Sequence, residues 1–338
     1  MTAPPNSPAH RVEGTPKVVV TRHLMPSIEA RMRELFDAKL NTDDVPLTRE
    51  QLAEAMADCD VLVPTVTDQI DGDLIAGAGE RLKLIANFGA GTDHIDLAAA
   101  AKRQIMVTNT PGVFTDDTAD IAILGIIGVP RRIREGVELV RSNKWTGWAP
   151  SRLLGRRLGG KTLGIVGMGR IGQAVAHRAR AFGLDIAYHN RKALPQSVEQ
   201  MLGARFVENL DSLIEQADIL TLHCPATKDT IGMLDARRIR LMKPGASLIN
   251  TARGELVDQE ALIAALDSGH LAGAGLDVYP DEPNVDPRLI RHPNVMTLPH
   301  IGSATAEGRE ASGEKVIANI RFWADGHRPP DQVLDALV

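Results

Sequence analysis

The sequence predicts an α/β fold made of two domains, each a doubly wound parallel sheet with helices on both faces. The 338 residues, 43% of them hydrophobic and 24% charged, are enough for two ordinary globular cores. Short apolar runs alternate with stretches of helical spacing along most of the chain, which is the pattern of β-α-β units. One strand, glycine turn and helix, at 163–182, has nucleotide-binding spacing. Both domains are therefore expected to be Rossmann-like or flavodoxin-like.

The first unit begins with a predicted strand at 17–21 and continues in β-α alternation. Further strands are predicted at 61–64, 82–86 and 105–108. A glycine-rich loop, 87–93, follows the third of these four strands. An apolar helix at 116–127 leaves the unit, and Pro130 is expected to end or kink it. An irregular arm, 145–150, then marks a domain boundary.

The second unit contains six predicted strands with crossover helices. They are 163–166, 185–189, 219–223, 247–250, 273–278 and 295–297. A last helix, 304–323, precedes a tail too short to form a domain, so the chain is expected to return and complete the first unit. The predicted domains are a discontinuous substrate domain, 15–112 plus 302–338, and a dinucleotide-binding domain, 113–301, after a disordered leader at 1–14.

Charge and composition argue against several classes of partner. The net charge is −5, the pI is near 6.1, and the arginine pairs at 131–132 and 156–157 are typical of solvated surfaces, so nucleic acid is not expected. Cys59 and Cys224 are too few for a disulfide framework or a zinc site, which favours a reducing, cytoplasmic compartment and no metal. The apolar run 121–129 is too short for a membrane span.

The glycine turn carries the strongest single motif. Gly167, Gly169 and Gly172 follow an apolar strand and open a helix with G-x-G-x-x-G spacing. The first permits a tight turn, the second lets a pyrophosphate approach the backbone, and the third lets helix and strand pack closely. The helix N-terminus supplies N–H groups and partial positive charge for the phosphates. The alternative, a glycine turn without a ligand, is disfavoured by the strand and helix around it.

The end of the second strand of this unit bears on the choice of cofactor. A site built for NAD has an acidic residue there, about 20 residues past the glycines, for the ribose 2′-hydroxyl. Here the place is occupied by His189, Asn190, Arg191 and Lys192, while Asp185 lies at the opposite end of the strand. Arg191 could pair with a 2′-phosphate, which favours NADP(H). The alternative is that these cations are solvated and NAD(H) binds.

Three further segments end predicted strands of the second unit and carry ionisable residues. They are Asn-Thr-Ala-Arg-Gly at 250–254, Asp-Val-Tyr-Pro-Asp-Glu-Pro at 277–283 and Leu-Pro-His-Ile-Gly-Ser at 298–303. Together with Gly-Ala-Gly-Thr-Asp at 89–93 and Asn-Thr-Pro-Gly at 109–112, they make the sequence resemble the D-isomer-specific 2-hydroxyacid dehydrogenases, in the glyoxylate/hydroxypyruvate reductase branch. The resemblance extends from residue 17 to about residue 322.

The resemblance implies Arg253, Glu282 and His300 as the catalytic set, and the amides of Ala90 and Gly91, with Arg253, as the substrate-binding set. The cofactor-binding residues that it and the glycine motif imply are Thr118, Gly167, Gly169, Arg170, Ile171, Gly172, Asn190, Arg191, Cys224, Pro225, Thr230, Thr251, Ala252, Asp277, His300 and Ser303. The resemblance also implies a homodimer, in contact through the crossing helix and the 145–148 arm.

The chemistry of these residue types supports the catalytic set independently. Reduction of a 2-oxo acid needs a hydride at the carbonyl carbon, a proton for the developing alkoxide and a cation for the carboxylate. His300 can donate the proton, Glu282 can orient the imidazole and favour its charged form, and Arg253 can form a fork onto the carboxylate. Taken singly, each could instead be an ordinary strand-end or loop residue.

The sequence therefore predicts NADPH-dependent reduction of glyoxylate, hydroxypyruvate or a similar 2-oxo acid to the D-2-hydroxy acid. Two alternatives stay open at this point. One is an NAD-linked D-2-hydroxyacid dehydrogenase of other specificity, such as a phosphoglycerate or D-lactate enzyme. The other is a nucleotide-sensing binding protein without catalysis, although the intact Arg253, Glu282 and His300 set argues against lost activity.

Overall fold

The structure, a computed structural model, describes residues 14–334. Its internal contacts divide the chain into two compact units. Unit 1 contains the residues up to Phe114 together with those from Thr305 onward, and unit 2 contains Thr115–Ala304. The predicted disordered leader, apart from Gly14, lies outside the described residues, as do residues 335–338 of the predicted substrate domain.

The described part of unit 1 contains one sheet of five parallel strands. The strands are β1 (Lys17–Val20), β2 (Asp37–Lys39), β3 (Val61–Val63), β4 (Leu84–Ala86) and β5 (Met106–Thr108), in the order β2-β1-β3-β4-β5. Its helices are α1 (Pro26–Leu35), α2 (Arg49–Asp58), α3 (Gly72–Ala76), α4 (Leu97–Lys102) and α13 (Ala306–Ala324). This order is that of flavodoxin-like folds.

Alternation along the central strands explains why this sheet is covered on both sides. Val19, Leu62 and Ile85 pack in one apolar cluster, whereas their neighbours along the same strands, such as Val18 and Leu84, pack in another. Successive side chains of a strand point to opposite faces, so both faces are buried, as is usual in parallel sheets.

The last long helix, α13, packs within unit 1. A Cβ added to Gly313 would lie 2.5 Å from Ile28 of α1, so only glycine permits this close approach. Ser312, which is fully buried, donates to the hydroxyl of Thr110 at 2.9 Å. The C-terminal helix is thus packed on α1 and bonded to the turn that follows β5.

The sheet of unit 2 has seven described strands, all parallel. They are β6 (Thr162–Val166), β7 (Asp185–His189), β8 (Ala204–Phe206), β9 (Ile219–Leu222), β10 (Ala246–Asn250), β11 (Leu271–Leu276) and β12 (Val295–Thr297). Their order is β12-β11-β10-β9-β6-β7-β8. The order reverses between β6 and β9, and ligands of doubly wound sheets bind outside the carboxyl ends of the strands at such a switch point.

The helices of unit 2 cover this sheet. They are α5 (Thr115–Gly128), α6 (Ile133–Arg141), α7 (Arg170–Arg180), α8 (Gln196–Leu202), α9 (Leu210–Gln216), α10 (Ala236–Leu241), α11 (Gln259–Asp267) and α12 (Pro287–Arg291), with a 3-10 turn at Gly254–Leu256. The crossing helix α5 ends two residues before Pro130, in keeping with the expected effect of that proline.

The predicted α/β class and the doubly wound parallel sheets are confirmed by this topology. The prediction of six strands in the second unit was wrong by one, because β8 was missed. The edge strand β2 of unit 1 was missed as well. Among residues 14–334, no helix is both long and apolar enough to cross a membrane, and no cluster of His, Cys, Asp and Glu could hold a metal ion.

Candidate active site

The glycine turn after β6 lies at the switch point of the unit 2 sheet. Gly167 has a φ of +97°, in the left-handed region that favours glycine. A Cβ there would lie 2.6 Å from the carbonyl carbon of His223, which follows β9. The turn therefore runs directly against the end of the neighbouring strand.

The other two glycines have different roles, since Gly172 permits close packing and Gly169 leaves space for a ligand. A Cβ on Gly172 would lie 2.2 Å from the carbonyl oxygen of Gly167, so this glycine brings α7 onto the turn. A Cβ on Gly169 would meet nothing within 4 Å, and Gly169 is the N-cap of α7 without a side-chain cap. Open space beside an uncapped N-terminus suits a pyrophosphate, so the residues present fit a dinucleotide.

Asn190, a predicted cofactor ligand, supports this turn from β7. Its Oδ1 accepts a hydrogen bond from the N–H of Met168 at 2.7 Å. Arg191 and Lys192 follow and are exposed, and within the described residues neither has a hydrogen bond or ion pair. Asp185 is the first residue of β7, at the end of the strand away from the turn. No carboxylate of β7 thus lies beside the turn.

The loop after β9 contributes partly buried, uncharged groups. Burial lowers the pKa of His223 to about 3, and its Nε2 lies 2.9 Å from the hydroxyl of Thr221. Burial raises the pKa of the Cys224 thiol to about 11, so Cys224 is not a reactive thiolate at neutral pH. Thr230 donates to the carbonyl of Pro225 at 2.7 Å and thereby closes the loop.

Asn250, the last residue of β10, shapes the loop that carries Arg253. Its side chain is buried, accepts from the N–H of Ala252 at 3.0 Å and donates to the carbonyl of Arg253 at 2.8 Å. The Arg253 guanidinium also donates to the carbonyl of Ala252 at 2.7 Å. The hydroxyl of Thr251 is buried and has no hydrogen-bond partner among the described residues.

Gly254 brings the Arg253 loop against the loop that follows β11. A Cβ on Gly254 would lie 2.0 Å from the carbonyl carbon of Tyr279 and 2.3 Å from the nitrogen of Pro280. No side chain fits there. The guanidinium of Arg253 and the carboxylate of Glu282 are thus held on adjacent loops, and the charge of Arg253 is one of the contributions that lower the pKa of Glu282.

Glu282 and His300 form the central pair of the candidate site. His300 Nδ1 lies 2.7 Å from Glu282 Oε2, and the other carboxylate oxygen accepts from the N–H of Tyr279 at 2.9 Å. Burial alone would raise the pKa of Glu282, but the hydrogen bonds from His300 and Tyr279 and the charges of His300 and Arg253 together lower it. Glu282 is therefore a carboxylate at neutral pH, and the ring nitrogen Nε2 of His300 is left for chemistry.

Asp277 and Thr118 hold the backbone beside His300. Asp277, 1% exposed, accepts from the N–H groups of Ile301 at 2.8 Å and Gly302 at 2.7 Å. Thr118 of α5 donates to the carbonyl of Gly302 at 3.1 Å. His300 itself has a φ of +54°, which is costly for a residue with a Cβ. These bonds maintain the strained turn that presents the imidazole.

In unit 1, the loop 89–91 follows β4. The buried side chain of Asn87 donates to the carbonyls of Gly89 at 3.1 Å and Gly91 at 2.8 Å. Asn109 donates to the carbonyl of Ala90 at 2.7 Å. The assignment of the Ala90 and Gly91 amides to substrate stays a prediction.

The structure thus brings the predicted catalytic residues of unit 2 onto one edge of its sheet. Sequence reasoning missed Asn250 and the contact made by Gly254, which support the Arg253 loop, and in unit 1 it missed Asn87, which supports the loop 89–91. Asp277 and Thr118 are predicted from the sequence as cofactor-binding residues, and in the structure their side chains form hydrogen bonds with the backbone of the His300 turn. The available signal was a polar residue immediately after a buried strand.

Comparison with known proteins places this site in a family. The model of the D-isomer specific 2-hydroxyacid dehydrogenase NAD-binding domain matches residues 123–302. Glyoxylate reductase of Thermococcus litoralis is 45% identical over 322 residues, which cover 94% of this chain and 96% of that protein. The chain belongs to the D-isomer-specific 2-hydroxyacid dehydrogenase family. It is an NAD(P)-dependent oxidoreductase that reduces 2-oxo acids.

Solved structures of other dehydrogenases share this fold. A glyoxylate reductase from Paecilomyes thermophila has a TM-score of 0.85 at 34% identity, covering 95% of this dehydrogenase and 99% of that chain. The NADPH-dependent glyoxylate/hydroxypyruvate reductase of Sinorhizobium meliloti, in complex with NADP and malonate, has a TM-score of 0.83 at 33% identity, covering 96% and 98%. The likeness extends over both units.

Proposed function

We propose that this dehydrogenase uses NADPH to reduce glyoxylate, hydroxypyruvate or a similar small 2-oxo acid to the D-2-hydroxy acid. The observation that carries the proposal is the 2.7 Å contact between His300 Nδ1 and Glu282 Oε2, on the sheet edge that also bears the glycine turn. The carboxylate holds the imidazole through Nδ1 and leaves Nε2 to exchange a proton with the substrate, which is what a reductase needs.

The bound nicotinamide supplies the hydride for the carbonyl carbon. Arg253 binds the substrate carboxylate and carbonyl oxygen through its planar fork, which orients the carbonyl. As the hydride adds, negative charge develops on the carbonyl oxygen, and His300 Nε2 donates the proton that neutralises it. Glu282 keeps the ring in place through the contact of its carboxylate with His300 Nδ1. In the oxidative direction neutral His300 accepts the hydroxyl proton.

The preference for NADPH rests on the end of β7. The ribose of a cofactor seated on the glycine turn reaches the residues after this strand, where the chain has Asn190, Arg191 and Lys192 and no carboxylate. Arg191 has no partner among the described residues, so a 2′-phosphate would be its counter-ion. The Sinorhizobium meliloti relative is named as NADPH-dependent, which supports the same choice.

The choice of substrate rests on the relatives. Those from Thermococcus litoralis and Paecilomyes thermophila are named glyoxylate reductases, and the Sinorhizobium meliloti enzyme is named for glyoxylate and hydroxypyruvate. A small substrate also suits a site whose polar groups are committed to one carboxylate and one carbonyl.

The cytoplasmic location expected from the cysteine content is part of the proposal, and both thiols are unpaired.

A second copy of the chain is the proposed partner, in contact through the expected 145–148 arm and through helix α6 rather than through the crossing helix α5, seven of whose 14 residues are buried. Helix α6 buries none of its residues, and it exposes Ile133, Val137 and Val140, which share one face, by 45%, 49% and 61%. Trp145 and Trp148 of the following arm are 58% and 84% exposed. An apolar patch of this kind suits burial against its own copy in a homodimer. Light scattering of Val137→Asp should then give a monomer.

The decisive experiment compares kcat/KM for NADPH and NADH across glyoxylate, hydroxypyruvate and pyruvate, with the chirality of the product determined. We expect NADPH to be preferred by about tenfold or more, which corresponds to about 1.4 kcal/mol from a charge-assisted contact. A preference for NADH would overturn the cofactor assignment. Turnover of none of the three acids would overturn the substrate assignment.

A further inference from the structure

The carbonyl groups of the loop 89–91 are all bonded within unit 1. Gly89 accepts from the Asn87 side chain at 3.1 Å and from the N–H of Thr110 at 2.9 Å. Ala90 accepts from the Asn109 side chain at 2.7 Å, and Gly91 from the Asn87 side chain at 2.8 Å. Within the part of the chain that the structure describes, no acceptor pairs with the N–H of Ala90 or Gly91.

Peptide geometry links these carbonyls to the amides. In a planar trans peptide, the carbonyl of one residue and the N–H of the next point in opposite directions. Holding the Gly89 carbonyl inward therefore directs the N–H of Ala90 outward, and holding the Ala90 carbonyl inward does the same for Gly91. Asn87 thus controls the first amide, and Asn109 controls the second.

Asn87 is itself fixed in one orientation. Its side chain is fully buried, and its backbone N–H donates to the carbonyl of Thr108 at 3.0 Å. His94 Nε2 lies 3.0 Å from Asn87 Oδ1, which leaves both amide hydrogens for the loop. His94 is buried as well, and its carbonyl accepts from the N–H of Ile70 at 2.8 Å. The loop is supported by rigid groups.

We propose that Asn87 is a positioning residue for substrate binding, acting through the loop carbonyls to aim the amides of Ala90 and Gly91 at the substrate carboxylate. Asn109 has the same role for Gly91. This inference rests on the proposed function and on the predicted role of the Ala90 and Gly91 amides, which would bind the substrate carboxylate together with Arg253. Preformed amides bind an anion without first paying for reorganisation.

Asn87→Asp is the direct test, because it keeps the size of the side chain but removes both donors and places a negative charge beneath the loop. Oxamate, an unreactive analogue of a 2-oxo acid, is titrated into the NADPH complex by calorimetry, and KM and kcat are measured with glyoxylate. We expect the oxamate Kd and the KM to rise about tenfold or more, as for lost hydrogen bonds to a charged group. The NADPH Kd should not change.

Asn41→Asp is the matched control. Asn41 lies after β2, and its side chain likewise donates to two carbonyls, those of Thr21 and Val45, both at 2.7 Å. Strands β1 and β3 separate β2 from β4 in the sheet. The same substitution there should leave oxamate binding unchanged, although it introduces the same charge into the same unit.

Unchanged oxamate binding in a folded Asn87→Asp protein would overturn the inference, as would a fall in kcat at constant KM. If that variant does not fold, Asn109→Ser decides, because Asn109 is only partly buried and should give the same split between KM and kcat. Oxamate binding also separates the two proposals. A wild type that binds oxamate but does not reduce glyoxylate contradicts the proposed substrate, and the variants still test the loop.

Discussion

Replacing Glu282 by glutamine should disable the proton transfer while leaving the fold intact. The carboxylate accepts from two donors, His300 Nδ1 at 2.7 Å and the N–H of Tyr279 at 2.9 Å. A glutamine amide has one oxygen. If that oxygen accepts from Tyr279, the NH2 group faces His300 Nδ1 and forces the neutral tautomer with the proton on Nε2. If the amide is turned so that its oxygen accepts from His300, its NH2 group faces the N–H of Tyr279, and two donors then oppose each other.

The size of the effect follows from these bonds. A hydrogen bond between charged groups contributes about 1.5–3 kcal/mol, or roughly 10- to 150-fold. General acid–base catalysis contributes about 10²- to 10⁴-fold. The neutral tautomer with its proton on Nε2 cannot accept the alcohol proton there, and it could transfer that proton to the alkoxide only by becoming an imidazolate anion. We therefore expect kcat to fall about 100-fold or more in both directions, with the NADPH Kd within about twofold.

Single-turnover measurement of NADPH oxidation, with and without deuterium at the transferred position, gives the rate of the chemical step. Glu255→Gln is the matched control, because Glu255 is an exposed carboxylate of the neighbouring 3-10 turn. A Glu282→Gln rate within about threefold of wild type would refute the reasoning, since it would mean less than about 1 kcal/mol of effect from the pair.

Two further substitutions and one pH dependence test the site. Asp277→Asn removes one of the two hydrogen bonds that Asp277 accepts from the His300 turn, but it also removes a buried charge, whose cost is shown by the raised pKa of Asp277, so the loss is partly offset. Calorimetry should show a Tm lower by a few degrees, and kinetics a kcat lower by about tenfold with an unchanged NADPH Kd. Weakened NADPH binding alone would instead indicate a cofactor role. Arg191→Ser should lower kcat/KM for NADPH about tenfold and leave NADH within about twofold, and Arg328→Ser, at an exposed arginine of unit 1, should do neither. The pKa of Glu282 in the folded protein is below its usual value, so the stabilisation by Glu282 is present above the unfolded pKa, about 4.3, and is lost as the pH falls through the folded pKa. The free energies of unfolding of wild type and Glu282→Gln, measured in urea, should therefore converge in that pH range. A difference that stays constant with pH would contradict the linkage.

The strands predicted correctly from the sequence are those whose burial produces a continuous apolar run in the sequence. The predicted strand 163–166 corresponds to β6 and the predicted strand 247–250 to β10, each within one residue, because buried parallel strands are apolar on both faces. The missed strands, β2 with the sequence DAK and β8 with the sequence ARF, are three-residue edges without an apolar run. Their pairing comes from the neighbouring strand, which no local window contains.

The position of the predicted ionisable residues on one sheet edge could be inferred from the sequence, because charge soon after a buried strand is unusual and parallel strands end at the same edge. Arg253, Glu282 and His300 satisfy that criterion in the sequence alone, and the structure places all three at one edge of the unit 2 sheet. The 2.7 Å contact of Glu282 with His300 was not predictable in distance, since it depends on the left-handed turn at His300 and on the fit of Gly254 against Tyr279. Both are tertiary features.

In both units, a short polar side chain at the end of a strand forms hydrogen bonds with the backbone of a neighbouring loop. Asn87 after β4, Asn190 after β7, Asn250 at the end of β10 and Asp277 after β11 each turn a side chain onto the backbone of the loop that follows or adjoins. A strand end leaves backbone groups without a ladder partner, and a short polar side chain at that point can satisfy them. The loops that bear the predicted ligands are thereby fixed before any ligand arrives. This explains why residues that the sequence presents as ordinary turn formers should affect binding and rate when they are changed, and why Asn87 and Asp277 are better tests of preorganisation than the residues that touch the substrate.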